Sequence, residues 1–157
     1  MGRFAGDVQA ALRTALADRL PELDWRVEHD VAGTPVDVTG VGDDLLVLVE
    51  LEWRRADPAD NTAKLFRHLD AGRLDAPRVV VCQLFTGYYD LAAGGVSSKR
   101  LNAEFVGRVA DDALDRVEYH PVEFGLTPPK RGGDRPDGWK GTAATAADAV
   151  ARLVHSA

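Results

Sequence analysis

The sequence predicts an α/β protein of the α+β type, with a mixed central β-sheet flanked by helices. Short segments in the first third of the chain alternate apolar and polar residues, as half-buried strands do. Other segments place apolar residues three and four positions apart, as amphipathic helices do. Three predicted strands precede the first crossover helix, which favours a mixed sheet over a pure βαβ series.

The first part of the chain contains one predicted helix and three predicted strands. The helix covers residues 4–20 and is closed by Pro21. The strands cover residues 25–31, 35–39 and 45–52. The third strand is apolar on both faces in its first half, which is typical of a central strand covered on each side.

The rest of the chain alternates helices and strands. Strands are predicted at residues 78–85 and 116–122, and helices at residues 61–69, from Ser97 or Ser98 to Leu114, and at 143–155. In the second of these helices, the expected core-facing stripe is Leu101, Phe105, Val109 and Ala113. Residues 127–141, rich in proline, glycine and charge, are expected to form a long loop.

The length, net charge and cysteine content of the chain limit the kinds of protein it can be. The chain has 157 residues, so a single domain over residues 1–157 is expected. The formal net charge of −6 argues against a wholly basic nucleic-acid coat, but leaves binding at a local patch open. Cys82 is the only cysteine and is expected to be a buried, inert thiol. The sequence shows neither a membrane-length apolar run nor a signal-peptide core, so a cytoplasmic protein without membrane association is expected.

Three carboxylates are the candidate metal ligands. Glu50 and Glu52 are two residues apart on a predicted strand and therefore point to the same face. Asp37 lies on the preceding strand, where Val36 and Val38 are expected on the opposite face. If the two strands form a hairpin, the three carboxylates converge, and oxygen ligands of this kind suit Mg²⁺. The alternative is a solvated strand face, with Arg54 and Arg55 as ion-pair partners.

The arrangement of these residues resembles a known motif. Pro35-Val36-Asp37, twelve intervening residues and then Glu50-Leu51-Glu52 are similar to the PD-(D/E)xK signature of restriction-endonuclease-like nucleases. The resemblance covers a core of about residues 4–122 with the order αβββαβαβ, and residues 126–157 form a C-terminal loop and helix beyond it. It implies a nuclease that depends on Mg²⁺ or Mn²⁺ and hydrolyses phosphodiester bonds, with DNA the expected substrate.

The chain departs from this family at one position, because Glu52 stands where the family usually has lysine. Asn61, Lys64 and His68 share a stripe of the following helix, and Lys64 is the candidate for a relocated catalytic cation. The resemblance implies that Asp37 and Glu50 bind the metal directly. Glu52 would then bind a second metal or orient the attacking water, and Asn61 and His68 would contact substrate.

Two further segments are candidates for substrate contact. Lys99 and Arg100 follow a predicted helix start, where amide groups favour phosphate, and Lys130 and Arg131 lie in the long loop. The main alternative is a catalytically inactive nuclease-like module that binds nucleic acid or a partner protein. The missing lysine and the acidic charge favour that alternative. A homodimer is compatible with the resemblance, although the sequence has no interface signature.

Overall fold

The computed structural model describes residues 2–72, 74 and 76–156. The helices are α1 (Arg3–Arg19), α2 (Pro58–Ala71), α3 (Ser98–Ala113) and α4 (Trp139–His155). The strands are β1 (Asp24–Val31), β2 (Thr34–Val41), β3 (Leu45–Glu52), β4 (Arg78–Phe85) and β5 (Val117–Glu123). The predicted order of elements is confirmed, although α2 and α4 begin three and four residues earlier than expected.

The five strands form one mixed sheet in the order β1-β2-β3-β4-β5. β1, β2 and β3 pair antiparallel, whereas β3, β4 and β5 pair parallel. The two parallel connections require crossovers, which α2 and α3 supply. The predicted fold class, a mixed sheet flanked by helices, is therefore confirmed.

The sheet is covered on both faces, and β3 contributes to both cores. Val47, Val49 and Leu51 pack in one core with residues of α1 and α4. Leu46 and Leu48 pack in the other core, which includes residues of α2. This double burial explains why the first half of β3 is apolar throughout. No helix among residues 2–72, 74 and 76–156 is long and apolar enough to cross a membrane.

The predicted core-facing stripe of α3 is wrong. Leu101, Phe105 and Val109 are exposed, and the buried positions of this helix are Arg100, Ala103 and Gly107. A Cβ added to Gly107 would lie 2.3 Å from Cζ of Tyr119, so the backbone of α3 touches the β5 side chain directly. Periodicity identifies residues that share a helix face, but close packing here selects the face with the smallest side chains.

The expected alternation around Asp37 is also wrong. Val36 belongs to the core on the α2 side and Val38 to the core on the α1 side, so the two do not share a face. The β2–β3 ladder ends at the pair Val38–Val49, and β2 leaves β3 beyond that point. Asp37 therefore lies where the strands separate, beside an opening at the end of β3.

Candidate active site

A cavity of about 420 Å³ opens where β2 separates from β3. Its lining residues are Glu28, Thr34, Pro35, Val36, Asp37, Glu50, Arg55, Asn61 and Lys64. Four of them were predicted as site residues from the sequence: Asp37, Glu50, Asn61 and Lys64. We call this space the carboxylate cavity.

Asp37 is held by two hydrogen bonds from different parts of the fold. Its Oδ2 accepts from the backbone N–H of Leu51 over 2.7 Å, which replaces the ladder bond that ends at Val38. Its Oδ1 accepts from Nε2 of Gln9, a buried residue of α1, over 2.9 Å. The carboxylate is thereby fixed in orientation at the cavity wall, since each oxygen has one donor.

Glu50 is a buried carboxyl group beside Asp37. It is only 5% exposed, yet its side chain lines the carboxylate cavity. Burial raises the pKa of Glu50 well above 4.5, and the charge of Asp37 and a hydrogen bond with it raise the pKa further. Arg55 acts in the opposite direction on this pKa. Two adjacent acidic groups in a partly buried site disfavour full ionisation unless a cation shares the site.

Glu52 is fully buried and turned towards α2 and β4. Its Oε1 accepts from Nδ2 of Asn61 over 2.7 Å and from Nε2 of Gln83 over 2.9 Å. Burial raises the pKa of Glu52, while these two donors and Arg55 act in the opposite direction. Among the described residues no hydrogen-bond donor reaches Oε2, although Nε of Arg55 lies 3.3 Å away.

Gln83 connects Glu52 to a buried polar network. The parallel register pairs Gln83 with Glu50, so the Gln83 side chain lies on the carboxylate face of the sheet. Its Nε2 also donates to Oγ1 of Thr62 over 2.8 Å, and its Oε1 accepts from the hydroxyl of Tyr119 over 2.6 Å. This network fixes the amide orientation that serves Glu52.

Two cationic side chains line the carboxylate cavity. Lys64, predicted from the sequence, is exposed on α2. Arg55, just after β3, has a half-exposed side chain and approaches Glu52. His68 lies one turn beyond Lys64 on α2 and does not line the cavity. Its Nδ1 lies 3.1 Å from the carbonyl oxygen of Ala32.

The other predicted substrate contacts lie elsewhere. Arg100 is buried, with Nη1 2.7 Å from Glu123 and Nε 3.5 Å from Glu104. Lys99 is exposed, with Nζ 5.8 Å from the centre of the Tyr88 ring. Neither of these two side chains lines the carboxylate cavity.

Lys130 and Arg131 line a second cavity of about 610 Å³. Its cationic lining consists of Arg3, Arg54, Lys130, Arg131 and Arg135, beside the aromatic rings of Phe4 and Trp53. None of the described residues that line it is acidic. We call it the basic groove. Trp53 and Arg54 directly follow Glu52, so the end of β3 connects the basic groove to the acidic site along the chain.

The predicted metal ligands do not form a complete cage. Within residues 2–72, 74 and 76–156, no three His, Cys, Asp or Glu side chains converge as a metal-binding group. Asp37 and Glu50 are neighbours, while Glu52 is engaged with Asn61 and Gln83. Mg²⁺ commonly takes one or two protein carboxylates and keeps several waters, so the pair suits a site of this kind.

Comparison of the chain with protein-family models, curated proteins and solved structures found no significant match.

Three side chains that contact Asp37 or Glu52 were not among the predicted site residues: Gln9, Gln83 and Arg55. Gln9 lies seven residues before Leu16 on the apolar stripe of α1, and a polar residue on such a stripe is a detectable signal. Gln83 is the one polar residue of β4 after Arg78, its first residue, which is a similar signal. Arg55 was expected only as an ion-pair partner on a solvated strand face; it does approach Glu52, but that carboxylate is buried.

Proposed function

We propose that this protein is a metal-dependent phosphodiesterase acting on nucleic acid, with DNA the expected substrate. The observation that carries this proposal is the pair Asp37 and Glu50 at the wall of an open cavity that Lys64 also lines. Burial and the charge of Asp37 raise the pKa of Glu50, so a divalent cation bound at the pair would favour its ionised form. The resemblance to the PD-(D/E)xK signature supports phosphodiester hydrolysis as the reaction.

In the proposed enzyme, Asp37 and Glu50 would hold Mg²⁺ or Mn²⁺. When bound, such a cation activates water and offsets negative charge on the phosphoryl oxygens. Gln9 and the Leu51 amide fix the Asp37 carboxylate, so its orientation does not have to be acquired on binding. Glu52, held by Asn61 and Gln83, keeps an oxygen without a hydrogen-bond donor beside Arg55.

Positive charge for the reaction comes from the cavity rim and the basic groove. Lys64 is exposed at the rim and is our candidate for contact with the scissile phosphate. Five cationic side chains and two aromatic rings line the basic groove, and one of the five, Arg135, pairs with Asp7. The groove is thus a local basic patch on a chain whose net charge is −6. Phosphate binding by such a groove, with base stacking on Trp53, gives the substrate a path towards the end of β3.

Cleavage of a labelled oligonucleotide in Mg²⁺ or Mn²⁺ tests the proposal. We expect cleavage by the wild type, loss of cleavage with chelator, and loss in both Asp37→Asn and Glu50→Gln. Glu118→Gln is the matched control. Glu118, on β5, pairs with Arg78 of β4 and lines neither cavity. Cleavage that survives both site substitutions contradicts the proposal.

Binding without hydrolysis is a second candidate function. Two observations favour it: Glu52 occupies the usual lysine position, and the described residues lack a group of three metal-ligating side chains. This candidate predicts equal oligonucleotide affinity with and without divalent cation, and no cleavage product. Arg131→Ala should weaken that binding and reduce its dependence on salt, whereas Arg13→Ala, exposed on α1, should not.

A further inference from the structure

α3 presents its largest apolar side chains away from the sheet. Six large apolar side chains are exposed among the described residues, and three of them lie four residues apart on this helix. They are Leu101, Phe105 and Val109, exposed by 50%, 61% and 50%. We call them the α3 stripe. Such a contiguous row differs from single exposed apolar residues, which need no explanation.

The α3 stripe cannot turn into the core of its own chain, because the opposite face of the helix is closely packed there. The opposite face of the helix holds Ala103 and Gly107, both buried, and Gly107 touches the Tyr119 ring. Rotating the helix would bring a larger side chain to a place where even a Cβ does not fit. The stripe is therefore fixed on the outer surface of the fold.

The charges of α3 are arranged in the reverse of the order that stabilises an isolated helix. Acidic residues near the start of a helix and basic residues near its end are favourable. α3 has no acidic residue in its first turn and no basic residue in its last turn. Instead Lys99 is exposed at its start and Asp112 is exposed at its end, whereas Arg100 is buried against Glu104 and Glu123 and Asp111 accepts from the backbone N–H of Tyr119. An antiparallel neighbour of the same sequence would place each end beside the opposite charge.

We infer that a second copy of this chain covers the α3 stripe, with the two α3 helices antiparallel about a two-fold axis at Phe105. This axis sets Phe105 against its own counterpart and Leu101 of one protomer against Val109 of its partner. Asp112 and Ser98, both exposed, lie seven residues to either side of Phe105 and also meet across the axis. Ser98 is the first residue of α3, so Asp112 would approach the positive end of its partner's helix. A two-fold interface requires a patch that complements itself in this way.

Sedimentation velocity on the full chain tests the dimer. A contact made mainly by one helix per protomer is at the small end of specific interfaces, so we expect a Kd of about 1–100 μM. Phe105→Glu should raise this Kd at least about 100-fold, because two carboxylates would meet at the axis. Val27→Glu is the matched control, since Val27 is 42% exposed on β1 and should leave the Kd unchanged.

A charge exchange tests the antiparallel orientation. Ser98→Glu should weaken the dimer about 10-fold by repelling Asp112, although an acid at this position favours the helix of the monomer. Adding Asp112→Lys to Ser98→Glu should restore the wild-type Kd. A chain that stays monomeric over the stated range, or a dimer that survives Phe105→Glu, overturns the inference. Failure of the double substitution to restore the dimer overturns the orientation.

Discussion

Gln9 and Asp37, from α1 and β2, are joined by a hydrogen bond of 2.9 Å in which Nε2 of Gln9 donates to Oδ1. The two residues are 28 positions apart, and Gln9 is buried at only 3% exposure. The helix that covers one face of the sheet thus also orients a carboxylate at the cavity beside the end of β3. This bond makes Gln9 a positioning residue for the proposed metal site.

Replacing Gln9 by Met should weaken divalent-metal binding. The substitution keeps the side-chain length and removes the donor to Asp37, and such supporting contacts typically contribute about 10- to 100-fold in metal affinity. Calorimetric titration with Mn²⁺ measures the change. In the Asp37→Asn background, Gln9→Met should add little further loss, because the two residues act through the same contact. Equal affinity of wild type and Gln9→Met would remove Gln9 from this role.

Stability without metal should fall as the pH rises above the ordinary range of glutamate. Burial and the charge of Asp37 raise the pKa of Glu50 in the folded state, so the folded chain holds that proton more tightly than the unfolded chain does. The free energy of unfolding therefore decreases as the pH rises from about 4.5 through the raised pKa. Urea unfolding in chelator, at stepped pH, should show a smaller decrease for Glu50→Gln, whose amide does not ionise. Parallel curves for the two proteins would contradict the assignment.

Removing the Gln83 amide should destabilise the fold. Gln83→Leu removes the acceptor of the Tyr119 hydroxyl and one of the two donors to the buried carboxylate of Glu52, which keeps Asn61. The unsatisfied hydroxyl alone costs about 1–3 kcal/mol. Adding Tyr119→Phe should recover part of the loss, because it removes the unsatisfied hydroxyl. Urea unfolding of the single and double variants measures both steps. A double variant less stable than Gln83→Leu would show that the hydroxyl is satisfied without Gln83.

Lys64→Ala should lower the rate of cleavage far more than it weakens substrate binding. Loss of one preorganised donor to the phosphoryl oxygens typically costs on the order of 100-fold in rate. Single-turnover cleavage beside equilibrium binding in Ca²⁺ separates the two effects. Arg55→Ala is the comparison, because Arg55 lines the same cavity but approaches Glu52. An unchanged rate in Lys64→Ala, with a large loss in Arg55→Ala, would transfer the role to Arg55.

The secondary-structure elements and their order could be predicted from local sequence patterns. Local patterns of apolar residues mark helices and strands, and all five strands lie within a few residues of their predicted positions. The first half of β3 is apolar on both faces, which predicted a central position in the sheet, and the strand order confirms it. Asp37 and Glu50 were predicted as neighbours from a hairpin of two strands, and the structure places both at one cavity.

Which surfaces are covered, and which distant residues make contact, depends on how the elements pack against one another. The sequence pattern predicts the α3 stripe as a core-facing surface. Close packing of Gly107 against Tyr119 instead buries the opposite face of the helix. Gln9 and Gln83 reach Asp37 and Glu52 through contacts between residues 28 and 31 positions apart. Periodicity contains no information about such contacts, because it reports how residues repeat along one element. Close packing between elements selects the partner of each face and of each buried polar group.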